Sequence, residues 1–319
     1  MGEDIMKYYI GVDLGGTNIA AGVVSEQGEL IHKASVPTES HRGHEAVVAD
    51  LAKLCKQVIA DSDVDPETVT SIGIGLPGLF DKDSGVFIYA PNLPIRQVPI
   101  RSMLQETFPL PVYLENDANA AAMGESVAGA AKDVAHSITV TLGTGVGGGI
   151  IVDNKILHGA FGGAGEIGHM AINLGGELCG CGRRGCWEAY ASASALVKQA
   201  QIAAIENPES LLAKDVNGIN GKMIFEAIEQ GDETAKQVLD TYLSYVAIGL
   251  TNLIDVLQPA KIVIGGGLSA QGEKILAPIR KLIEERAFSG AYQTKLVTAT
   301  LGNDAGIIGA AMVGMEHQT

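Results

Sequence analysis

His169, Cys179, Cys181 and Cys186 place one imidazole and three thiols in a short stretch of chain. A Cys3His set fits tetrahedral zinc with no coordination position left for water, so such a metal would be structural rather than catalytic. Gly180, Gly182 and Gly185 let so short a loop fold back on one ion, and Arg183 and Arg184 can offset thiolate charge. The alternative is a surface loop of reduced cysteines; in a reducing compartment, clustered thiols favour a metal over disulfides. Glu166, His169 and Glu188 flank the loop and can face a polyhydroxylated ligand, although either glutamate also suits a solvated surface.

Two other stretches could handle phosphate. Asp13-Leu14-Gly15-Gly16-Thr17-Asn18 lies where one strand turns into the next. Its glycines let backbone N–H groups approach a polyanion, Thr17 offers a hydroxyl, and Asp13 can hold magnesium directly or through water. The same residues also make an ordinary tight hairpin. Gly143-Thr144-Gly145-Val146-Gly147-Gly148-Gly149 is richer in glycine than a hairpin needs. It matches GxGxxG, but Ile150-Ile151-Val152 continues as a strand, whereas a dinucleotide fingerprint must open a helix. No GxxxxGK[ST] loop is present. Glu115-Asn116-Asp117 follows a short strand and precedes a helix. An aspartate there can accept a hydroxyl proton during phosphoryl transfer, and Asn116 or Asp117 equally suits an N-cap.

The elements that must carry these groups follow from periodicity. Tyr8 to Val24 reads as two strands broken at Gly15 and Gly16, with a third strand after Gly28. Glu45 to Ile59 reads as an amphipathic helix, Val69 to Leu76 and Val112 to Leu114 as strands, and Ala118 to Ala122 as a helix. Further helices are predicted over Glu188 to Ala204, Thr234 to Leu257, Gln271 to Arg286 and Asp304 to Met315, with a strand at Ile262-Val263-Ile264 ending in Gly265-Gly266-Gly267. Val12-Asp13-Leu14-Gly15 is echoed by Val140-Thr141-Leu142-Gly143, and Glu29-Leu30-Ile31-His32 by Lys155-Ile156-Leu157-His158. The chain therefore reads as two related halves, each opening on a glycine-tipped hairpin.

The chain has 319 residues, enough for two domains with large cores. With 46% hydrophobic and 18% charged residues it is not disordered. A net charge of −15 disfavours a nonspecific nucleic-acid or anionic-membrane binder. No long apolar run and no basic-then-apolar leader is present, which predicts a soluble, cytoplasmic protein. Glycine is the anomaly, 41 residues without a Gly-X-Y period, and it concentrates in the loops just described; the expectation is a backbone-lined active site.

Taken together, Asp13-Leu14-Gly15-Gly16-Thr17, Leu142 to Gly149, Gly165-Glu166-Ile167-Gly168-His169 and the Cys179 to Glu188 segment resemble the ROK family of bacterial sugar kinases and repressors, and within it the glucokinases. The resemblance covers essentially the whole chain. It implies an α/β, actin-like ATPase (ribonuclease H-like) fold of two domains with a cleft between them, drawn as 1–116 plus 304–319 and 117–303. It implies ATP-dependent phosphorylation of the glucose 6-hydroxyl with magnesium, and zinc as a structural ion. Asp117 would be the general base. Asn116, Glu166, His169 and Glu188 would hold sugar hydroxyls, with His169 using its other nitrogen for zinc. Asn92 and the Gly75 backbone would contact the sugar. Gly265, Gly266 and Gly267 would lie near the adenosine, while Gly15, Gly16, Thr17, Asn18, Gly143, Thr144 and Gly145 would cradle phosphates.

Family members are commonly dimers or tetramers, so a homo-oligomer is expected. Mannose, fructose, allose or N-acetylmannosamine as acceptor and polyphosphate as donor stay open. So does a sugar-responsive regulator, against which stand the acidic charge and the twelve residues preceding Asp13, too few for a helix-turn-helix.

Overall fold

A computed structural model describes residues 6–90, 93–288 and 293–316; Asn92 lies outside the described residues. The first strands, Tyr8–Leu14 (β1) and Asn18–Ser25 (β2), are buried along most of their length, as central strands are. Leu30–Pro37 (β3) alternates between half-buried and exposed, the pattern of an edge. His44–Ala60 (α1) turns Val47, Val48, Leu51, Leu54, Cys55 and Val58 onto β2 and β3. Val69–Leu76 (β4) is followed by a separate antiparallel sheet of Leu79–Asp81 (β5), Val86–Ala90 (β6) and Leu93–Val98 (β7), in that order. The sequence reading contained no such sheet. Ile100–Gln105 (α2), Val112–Asn116 (β8) and Asp117–Val127 (α3) complete this half.

The second half opens with Ser137–Leu142 (β9), Val146–Val152 (β10) and Lys155–Ile156 (β11). The helix expected from Glu188 to Ala204 is two helices, Glu188–Ala191 (α4) and Ala193–Glu206 (α5). Ser192 divides them: its backbone is extended and its Oγ accepts from Ala195 N–H, so it caps α5 instead of continuing α4. Gly221–Glu229 (α6), Glu233–Leu257 (α7), Lys261–Gly265 (β12), Glu273–Arg286 (α8), Lys295–Thr298 (β13) and Asp304–Glu316 (α9) follow. Helix α8 starts two residues later than expected because Gly272, at φ +54, interrupts the helical backbone behind a 3-10 turn.

The repeat seen in the sequence is a repeat of topology. One sheet has the order β3-β2-β1-β4-β8 and the other β11-β10-β9-β12-β13. In each, the first strand pairs in parallel with the strand beyond the crossover: Asp13 opposite Gly75 on β1 and β4, Thr141 opposite Gly265 on β9 and β12. Contacts divide the chain into one unit of Met1–Ala135, Gly149–Leu157 and Thr300–Thr319, and another of His136–Gly148 and His158–Ala299.

In the first unit α9 packs on β1, β4 and α3. It does so at backbone distance, because a methyl group at Gly73 would overlap the carbonyl oxygen of Ala310, and one at Gly309 that of Ala120. In the second unit Trp187 is fully buried beside Gly249 of α7 and donates its Nε1–H to the Tyr245 carbonyl at 2.8 Å. Among the described residues no helix is long and apolar enough to cross a membrane.

Candidate active site

In the first unit the parallel strands β1, β4 and β8 end side by side, and their register sets Asp13, Gly75 and Glu115 in one row. Carboxyl ends of parallel strands are where side chains meet ligands in open α/β sheets. Paired residues share a face, so nothing but the Gly75 backbone separates the Asp13 and Glu115 positions. A Cβ on Gly75 would make ordinary contacts, 3.4 Å from the Ala120 methyl and 3.8 Å from Asp117 Cα.

Glu115 turns inward and is 1% exposed. Asn116 caps α3, its Oδ1 accepting from Ala118 N–H at 2.9 Å and Asn119 N–H at 3.2 Å. The capping role foreseen for this triplet is thus filled by Asn116, while the Nδ2 donors of the same amide take no part in the cap. Asp117 becomes the first helical residue, with Oδ1 2.9 Å from Ala118 N. Close by, burial and then the Asp117 charge push the Asp13 carboxyl up to about 6. A divalent cation on Asp13 would favour its charged form and offset both the burial and the neighbouring charge.

The turn after β1 is tight. Gly15 N–H donates to the Asn18 carbonyl at 2.9 Å, and the Thr38 hydroxyl closes on the Gly15 carbonyl at 2.7 Å. Thr17 and Asn18 are exposed at its tip.

A stability prediction follows from Asp13. Its folded-state pKa lies above its unfolded value of 3.8, so the folded protein holds the proton more tightly and this contribution is lost as pH rises through about 6. At neutral pH the ionised group costs about 2–3 kcal/mol. Asp13→Asn should therefore raise the melting temperature of the ligand-free protein at pH 7.5, keep part of that advantage at pH 5 and shed it only as pH falls toward the unfolded value of 3.8, measured by thermal denaturation across pH. An advantage independent of pH would contradict the assignment.

In the second unit the loop after β9 is closed by Gly143 N–H to the Gly145 carbonyl (3.0 Å) and held by Ala193 N–H to the Gly143 carbonyl (2.8 Å). Space beside Gly143 is open. The glycine turn after β12 lies against it: Gly266 has φ +83, and a methyl there would overlap the Leu142 carbonyl, so only glycine serves at this position. Gly265 and Gly267 have no such constraint.

The Cys3His group is assembled. The ligand atoms of His169, Cys179, Cys181 and Cys186 all lie within 4.8 Å of one another. Cys179 Sγ is 3.7 Å from His169 Nδ1, and Cys181 Sγ is 3.6 Å from Cys186 Sγ. Tetrahedral zinc with bonds of about 2.0–2.3 Å requires ligand separations of about 3.5–3.8 Å, so the donor set fits and so do these two separations. The backbone N–H and guanidinium of Arg183 hold the Cys181 thiol down to about 6, which favours the thiolate that binds metal.

His169 faces the thiols with Nδ1 and Glu166 with Nε2, at 3.9 Å. Glu188 reaches two partners within this unit: Oε2 accepts from Val146 N–H in the glycine loop at 3.0 Å, and Oε1 lies 3.4 Å from Cys179 Sγ. That link between the cysteine loop and the glycine loop had no signal in the sequence.

The model of the ROK family matches residues 9–316. A glucokinase of Streptomyces coelicolor is 41% identical over 319 residues, covering 98% of each chain. A xylose repressor of Caldicellulosiruptor bescii is 34% identical over 95% of this chain and 77% of its own length. Among solved structures, a ROK family glucokinase from Streptomyces griseus in complex with glucose and AMPPNP superposes with a TM-score of 0.78 at 39% identity, covering 97% of this chain and 99% of that one.

Proposed function

The chain belongs to the ROK family, and from that premise we propose that it is an ATP-dependent glucokinase, transferring the γ-phosphoryl group of ATP to the glucose 6-hydroxyl. The observation that carries the reading is the Asp13 and Asp117 pair, near the end of β1 and just past β8, in a chain matched over 97–98% of its length by glucokinases.

Asp117 accepts the proton of the 6-hydroxyl as that oxygen attacks the γ-phosphorus; the bond from γ-phosphorus to the β,γ-bridging oxygen breaks, leaving ADP. Asn116, Glu166, His169 and Glu188 are assigned to sugar hydroxyls, the two glutamates as acceptors, His169 through the Nε2–H it carries when Nδ1 holds zinc, and Asn116 through its Nδ2 donors. The amides of the Gly15–Asn18 and Gly143–Gly145 turns are assigned to the phosphates and Gly265–Gly267 to the adenosine side, so an acidic protein binds a polyanion without a basic patch. Magnesium held by Asp13, directly or through water, would offset phosphate charge. Zinc held by His169, Cys179, Cys181 and Cys186 would fix the loop carrying Glu166 and Glu188.

A coupled assay of ADP release over a panel of hexoses tests the reading. Glucose with ATP should give the highest kcat/KM. A preference for mannose, fructose, allose or N-acetylmannosamine would move the substrate within the same reaction, and turnover with polyphosphate alone would move the donor. The xylose repressor likeness supports the competing reading of a regulator, for which tight, specific DNA binding without sugar turnover would be the evidence; the net charge of −15 opposes it.

A further inference from the structure

We infer that Lys82 and Glu115 are positioning residues for Asp117, an inference that rests on Asp117 being the base. Glu115 is the last strand residue before the Asn116 cap, and its carboxylate is buried at 1% exposure. A buried carboxylate persists only if its oxygens are satisfied. Here they are divided between two tasks. Oε2 takes the Lys82 ammonium at 2.7 Å, and Oε1 takes Asn116 N–H and Asn119 Nδ2–H, each at 3.0 Å. Asn116 immediately precedes Asp117, and Asn119 is on the same helical turn. The two hydrogen bonds therefore grip the backbone on one side of the base and the first turn of α3 on the other.

Lys82 is itself held. It sits in the β5–β6 turn, where Asp81 Oδ1 accepts from Asp83 N–H at 2.9 Å and Ser84 N–H at 3.4 Å. The Arg101 guanidinium donates to the carbonyls of Lys82 (2.6 Å) and Asp83 (2.7 Å), and its Nε–H to the carbonyl of Val112 on β8 (2.9 Å). The small β5-β6-β7 sheet is thereby tied to both ends of β8, at Val112 through Arg101 and at Glu115 through Lys82. A turn with this much anchoring delivers one ammonium to one buried carboxylate, and the carboxylate sets the β8–α3 junction.

Phosphoryl transfer depends mostly on placement, and a displacement of about 1 Å can cost about 10²-fold in rate. Lys82→Met removes the ammonium that Oε2 takes, so the carboxylate loses that anchor and the junction is released. The expected result is a fall in kcat of about 10- to 100-fold, with glucose KM changed less than about threefold, and recovery to within about threefold of the parent in Lys82→Arg. A pair that only stabilised the fold would lower the melting temperature and leave kcat per folded molecule unchanged. Circular dichroism sets the folded fraction for each variant. Glu115→Gln is the second variant, since it keeps an acceptor for Asn116 N–H but abolishes the ion pair; it too should lower kcat more than it raises KM.

Kinetic constants within twofold of the parent in either folded variant overturn the inference. Asp117→Asn in the same series separates the two readings. If it retains turnover, the base assignment fails. If it is inactive while Lys82→Met is not, only the positioning role fails.

Discussion

Asp117→Asn should reduce kcat by about 10²–10⁴-fold, the range contributed by a positioned general base, while glucose still binds. Asparagine preserves shape and keeps an oxygen for Ala118 N–H, the 2.9 Å bond at the start of α3, so the helix is not disturbed. Only the proton acceptor is lost. The variant also removes the neighbouring charge that, after burial, raises Asp13. Its melting temperature at pH 7.5 should therefore equal or exceed that of the parent. Steady-state ADP release and isothermal titration with glucose measure the two sides of this result; turnover within tenfold of the parent would show that another group takes the proton.

Loss of the Cys3His metal should be comparably severe. Cys181 is the informative ligand because it is exposed, whereas Cys179 and Cys186 are buried and their replacement would also disturb packing. Cys181→Ser keeps the shape of the loop and removes one soft donor. Metal content should fall from about one zinc per chain to near zero, with glucose KM rising about tenfold or more, because Glu166, His169 and Glu188 lie in or beside the loop that the ion closes. Binding of metal by a group spread over positions 169 to 186 is binding to the folded state, so a strong chelator should lower the melting temperature as well. Parent protein purified without chelator and found free of zinc would refute the assignment, whatever the kinetics of the variant.

Much of this site was legible because the signals are local. Apolar alternation and glycine turns marked β1 to β4, helical spacing marked α1, and the echo of Val12 to Gly15 in Val140 to Gly143 became two sheets of equivalent strand order. The cysteine spacing needed only a loop of glycines to become a cluster. The glycine excess was read less completely. Gly266 does serve a turn, but Gly73 and Gly309 are glycine because α9 lies against β4 and α3, and that demand arises between elements far apart in sequence. Ser192 was hidden for the opposite reason: a helical pattern ran straight through it, and its cap to Ala195 N–H competed successfully with helix continuation.

Residue types and short spacings determined the chemistry available: thiols and imidazole for a metal, carboxylates at a strand end for proton and magnesium chemistry, amide-rich turns for phosphate. These depend on bonds and donors within a few residues, which sequence carries directly. The tertiary structure decided which of them work on which. It put Asp117 close enough to Asp13 to raise its pKa, spent Asn116 Oδ1 on a cap, tied Glu188 to Val146, and brought Lys82 across thirty-three positions to Glu115. Such pairings depend on the register of strands and the packing of helices over long separations, where the burial of one charge is settled by whichever partner the fold delivers to it.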